Sequence, residues 1–135
     1  MGAWLRPIPQ YHPPAPPTYT SQQIADAKAK VCAAYGSVHS AVGINMARDL
    51  GPDPTAELTV AVGARQSLIA GSQYLLTTLA DEPAVAPDLA SAIHKLAVLF
   101  QGYAMNYLNG QTNAEMASSL RDGDETTSVI EKLCQ

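Results

Sequence analysis

Arg65 stands where an apolar residue belongs. Leu58, Val62, Leu68/Ile69, Ser72, Leu75/Leu76 and Leu79 recur around it at helical spacing, so its stem falls on a stripe that faces a core. A guanidinium there has three uses. Its stem can lie across the stripe while the head reaches water. It can form a buried pair with Asp124 or Glu125, completed by the Tyr103 hydroxyl, because an unpaired buried charge is expensive. It can also anchor an anionic ligand. Counting residues along antiparallel neighbours puts Val38/His39, Tyr103 and the stretch from Asp124 to Thr127 in the layer of Arg65. Arg65, His39, Tyr103 and Asp124 are therefore the candidate polar or ligand-anchoring cluster.

Little else in the sequence suggests chemistry. His12 sits in the stretch "PIPQYHPPAPP", where a catalytic group would not be held in place. His39 and His94 fall beside the apolar stripes of their segments and read as surface or boundary residues. Neither Glu-x-x-His nor His-Glu-x-x-His occurs, and there is no Gly-rich phosphate loop and no Gly-x-Ser-x-Gly elbow. The acidic run "DGDETT" resembles part of a calcium loop but lacks the twelve-residue ligand set, so it reads as a solvated face. The expectation is no enzyme, no metal site and no cofactor.

The elements that must position these residues are four helices. Thr20 and Gln23 have the form of a capping box, and Ile24, Ala27, Val31, Ala34/Tyr35, Val38 and Val42 follow at helical spacing until the pattern fades near Asp49. "LGPDP" stops that helix. Asp53 can cap the next, with Pro54 at its first position. "DEPAVAP" breaks the chain again, and Pro87 opens a third helix carrying Leu89, Ile93, Leu96, Leu99/Phe100, Tyr103 and Tyr107/Leu108. A fourth is expected from near Thr112, which with Glu115 offers a second capping box, and it continues through Met116, Leu120, Val129/Ile130 and Leu133 with Gly123 as a weak point. No strand-like alternation is present. The fold class predicted is all-α: an antiparallel up-down four-helix bundle over residues 20–135, preceded by a Pro-rich extended tail, residues 1–19, acting as a spacer.

Cys32 and Cys134 are the two cysteines. Placing them side by side in antiparallel helices brings Asn113 level with Asp53, so both helices span a common layer. A disulfide joining first and last helices is thus geometrically natural, and it implies an oxidising compartment. The alternative is two buried free thiols. Neither cysteine has the companions of a zinc or redox motif.

Net charge is −4 and no Lys/Arg cluster exists, which argues against nucleic-acid binding. Aromatics make up only 6% of residues, so the core must be Leu, Ile and Val set among alanines. No apolar run approaches the ~20 residues of a membrane span. The "GAWLR" at positions 2–6 has the Trp–Arg character that flanks the end of a span, or is a chance pair.

"TYTSQQIADAKAKVCAAY", "DPTAELTVAVGARQSL", "YLLTTLADEPAVAPDLASAIHKLA" and the closing "IEKLC" resemble mycobacterial Ala/Pro-rich membrane-anchored proteins of unassigned function. The resemblance covers Thr18 to Cys134. It implies a cytoplasmic segment and one span, not included in this chain, then a Pro-rich spacer and a Cys-bearing helical domain on the extracytoplasmic face. No catalytic residues come with it. The leading expectation is a non-catalytic interaction domain in the cell envelope, engaging an envelope or membrane protein as accessory subunit or scaffold. The alternative is a carrier or sensor of an apolar ligand such as a lipid, with Arg65 at its head group. A hydrolase whose residues meet only in three dimensions is a third. Partner identity and oligomeric state are not written in the sequence.

Overall fold

The computed structural model describes Leu5 and residues 7–135. Residues 7–19 carry no helix or strand, and all but the half-buried Tyr19 are exposed. Trp4 and Arg6, on which the span-edge reading rests, lie outside the described residues.

Four helices follow: α1 (Ser21–Ala47), α2 (Pro54–Asp81), α3 (Pro87–Leu108) and α4 (Ala117–Leu133). The capping box at Thr20 is formed in both directions, with Gln23 N–H donating to Thr20 Oγ1 at 3.1 Å and Thr20 N–H to Gln23 Oε1 at 2.8 Å. Asp53 occupies the N-cap position of α2, but its side chain makes no capping bond there; Pro54 alone pre-sets the first turn. At the fourth helix the Thr112–Glu115 box is also formed. It closes a separate turn over residues 113–116, however, and the regular helix begins only at Ala117. The Met116 N–H is shared between the carbonyls of Thr112 and Asn113, which marks the tightened turn between cap and helix.

α1 packs on α2, α2 on α3, and α3 on α4. Cys32 and Cys134 form a disulfide that ties α1 to the end of α4, with Cα atoms 5.8 Å apart. Along α1 and α4 the partners fall in number as α1 rises: Lys28 Nζ donates to the Gln135 carbonyl, Cys32 joins Cys134, and Tyr35 bonds Glu131. The same falling order holds for α1 on α2, where Gly71 lies against Val38 and Gly63 against Asn45. At Gly71 an added Cβ would stand 2.7 Å from Val38 Cγ1, so the small residue is what lets α1 and α2 approach.

Leu68, Leu75, Ile93, Leu96 and Ile130 are fully buried at the centre. Val85, in the α2–α3 connection, and Met116, in the turn before α4, also belong to this core. Ser72 is fully buried too, and its hydroxyl donates to the Ala97 carbonyl at 2.8 Å, pinning α2 to α3. Near the start of α1, Ala27 is buried as its place on the stripe predicts, and Lys30 reaches Glu82 at 3.3 Å. The core departs from the predicted stripes in both directions, taking in Ala97 and Ala104 as well as Val85. Ile24, Leu58, Val62 and Val129, all expected to face the core, are exposed.

Candidate functional site

The predicted cluster divides in two. His39, Tyr103 and Asp124 line one open groove of about 190 Å³ between α1 and α4, floored by Leu68 and Phe100. Arg65 lines a different recess, of about 390 Å³, with Met46, Tyr107 and Asn113, where the ends of α1 and α3 approach the start of α2. Leu68, one turn along α2 and fully buried, fills the layer the arginine was expected to enter. No pair between Arg65 and Asp124 or Glu125 is formed. Among the described residues Arg65 makes neither an ion pair nor a hydrogen bond, and it is half-buried.

Tyr103 is committed elsewhere. Its hydroxyl donates to the Ser119 carbonyl at 2.5 Å and touches Gly123, where a side chain would collide with it. The glycine that looked like a weak point in α4 is thus the place where α4 admits the tyrosine. Burial raises the Tyr103 pKa, the hydrogen bonds to Ser119 and Gly123 oppose this, and the charges of Asp122 and Asp124 add to the rise. Tyr107 is half-buried, donates to Asn113 Oδ1 at 2.7 Å, and is likewise pushed up by burial. Asp122 is paired with Lys95 at 2.9 Å, whereas Asp124 is exposed.

His39 is exposed and stacks on Tyr35 with ring centroids 5.4 Å apart. The Tyr35 hydroxyl donates to Glu131 Oε1 at 3.1 Å, bridging α1 and α4 one turn from the disulfide. Burial first, then the Glu131 carboxylate it serves, pushes this phenol's pKa up. The groove therefore brings together an imidazole, a carboxylate and a buried phenol already bonded to a backbone carbonyl. None of the three is joined to another as a nucleophile is joined to its base. Among the described residues, no three of His, Cys, Asp and Glu come together as metal ligands.

A second feature emerges on the outside of α2 and α3. Leu58, Val62 and Ile69 on α2, and Val98, Met105 and Leu108 on α3, are all exposed, with Leu58 60% and Met105 58% open. The positions repeat at intervals of four, seven and three residues, so each set forms one stripe on its helix. The Ser72–Ala97 bond fixes the two helices side by side, and Arg65 and Tyr107 share a recess further along, so the two stripes flank one seam. Sequence periodicity missed this because it treats every apolar residue on a stripe as core. Charge could have revealed it: α2 carries only Glu57, Arg65 and Asp81, and α3 only Asp88 and Lys95, whereas the shorter α4 carries six charges.

No protein-family model matches the chain, and no curated protein or solved structure is significantly similar to it.

Proposed function

We propose that this chain is a non-catalytic interaction domain of a membrane-anchored cell-envelope protein, serving outside the membrane as accessory subunit or scaffold for another envelope or membrane protein. One observation carries the reading: a filled core lies beneath a contiguous set of exposed apolar side chains on α2 and α3. Exposed apolar patches on soluble domains mark sites of association. The Cys32–Cys134 disulfide supports an oxidising location. The resemblance to Ala/Pro-rich anchored proteins supports attachment through an N-terminal span, with residues 1–19 as spacer and 20–135 as the working domain. The falling order of residue partners between α1 and α2 and between α1 and α4 supports an up-down antiparallel bundle.

The carrier reading places a head group at Arg65, whose recess of about 390 Å³ falls within the ~300–1,000 Å³ of small-molecule sites but opens to solvent rather than enclosing an apolar tail. The apolar groove beside His39 and Tyr103, at about 190 Å³, falls below that range, so the carrier is the weaker alternative. Native mass spectrometry separates the two on chain released in mild detergent from the membranes of cells that make it. The interaction domain is expected as the polypeptide bound to a second polypeptide. A stoichiometric lipid mass on the chain alone would favour the carrier, and a bare chain recovered only from the soluble cytoplasmic fraction would refute the proposal.

A further inference from the structure

We infer that the α2–α3 seam is the docking site for an amphipathic helix of another protein, one that carries a carboxylate among its apolar residues opposite Arg65. This rests on the interaction-domain reading and specifies its partner. The apolar stripe on α2 runs from Leu58 to Ile69, a rise of about 16 Å or three turns, and the stripe on α3 runs beside it from Val98 to Leu108. Two neighbouring helices with apolar outer stripes form the kind of groove that takes a third helix.

Charge selects among occupants. From Leu58 to Leu108, Arg65 is the sole charged residue on the seam. Glu57 is turned about 100° around α2 from Leu58, and Asp81, Asp88 and Lys95 stand on other faces or toward the far end. Arg65 has no acid partner of its own among the described residues. Covering the seam with apolar side chains alone would strand an unpaired guanidinium away from water, which is strongly unfavourable. A second copy docking by the same face brings another Arg65 and no acid on the stripe. A membrane surface is held by several basic residues together, and this chain has a net charge of −4. A carboxylate set within an apolar helix face satisfies both terms, because the planar guanidinium accepts it in a two-pronged contact.

The test is site-specific photocrosslinking of the full chain in the cells that produce it, with benzoylphenylalanine at Ile69, at Met105, or at Ser128 on exposed α4. The expected result is one protein adduct from Ile69 and Met105 and none from Ser128, with the crosslinked peptide an apolar helix containing Asp or Glu. Arg65→Glu is expected to reduce that adduct at least tenfold, and replacing the partner's acid by Arg is expected to restore it. Circular dichroism and disulfide content of Arg65→Glu guard against misfolding, and the charge-swap rescue holds even if folding is weakened. Adducts to a second copy or to lipid, an adduct indifferent to Arg65→Glu, or a mutant adduct that the swap does not restore each overturn the inference. Adducts from Ser128 alone overturn it while leaving the interaction domain standing. No protein adduct from any position overturns both.

Discussion

At the scale of single residues, Gly123 and Tyr103 decide how closely α4 can sit on α3. Gly123→Ala is expected to cost about 1–3 kcal/mol, because the new methyl meets the Tyr103 hydroxyl and both must shift. Gly36 supplies the control: it lies inside α1 with nothing near its would-be Cβ, so Gly36→Ala should gain about 0.4–1 kcal/mol. Urea unfolding of the two variants checks both signs. The tyrosines add a pH dependence. Tyr35, Tyr103 and Tyr107 all have their pKa raised in the folded state above the ordinary value near 10, so folding favours the neutral phenol. Their contribution is fully present below pH ~10 and is lost as the pH climbs through the folded values. The urea midpoint should thus be insensitive to these groups up to about pH 9.5 and fall above pH 10. The double variant Tyr35→Phe, Tyr103→Phe should flatten that fall. Arg65 marks the limit of reading at this scale. Its oddity was plain in the stripe, but its surroundings were not, because it lines a recess with Met46, Tyr107 and Asn113 rather than the groove holding His39 and Tyr103.

Between elements, the contacts are uneven. α3 and α4 meet through Tyr103, through Lys95–Asp122 and through buried Ile130, while α1 and α4 meet at the disulfide end and part around the groove beside His39. The disulfide therefore bears much of the task of keeping α4 against α1. Replacing both cysteines by serine should lower stability by about 4–5 kcal/mol, the chain-entropy figure for a loop of roughly 100 residues. Denaturant unfolding of the variant beside the oxidised protein measures it. Helix boundaries set by proline or by a reciprocal cap were legible in the sequence: Pro54, Pro87 and Thr20 all mark starts. Thr112 was legible as a cap but misleading as a helix start, since the cap closes one tight turn that then yields to α4. The pairing of Cys32 with Cys134 could be read because it aligns two helices of limited length. The exposure of Leu58 and Val62 could not, because periodicity marks an apolar stripe without saying whether a neighbouring helix covers it.

Across the whole molecule, charge is distributed by element. α4 holds six charged residues in 17, whereas α2 and α3 hold five in 50. Ile69→Glu and Met105→Glu lie on the charge-poor side, where both side chains are exposed, and each should change stability by no more than about 0.5 kcal/mol. Thermal melts of the two variants check this before either is used to probe association. The disulfide also changes what a cut would do to the chain. Arg48 lies just past the end of α1, in an exposed stretch without helix that runs to Asp53. A protease severing the backbone there would produce two fragments, one holding Cys32 and the other Cys134, still bonded to each other. Such a nicked molecule would run as one species on a non-reducing gel and as two after reduction, and α1 would remain attached to the other three helices despite the broken backbone.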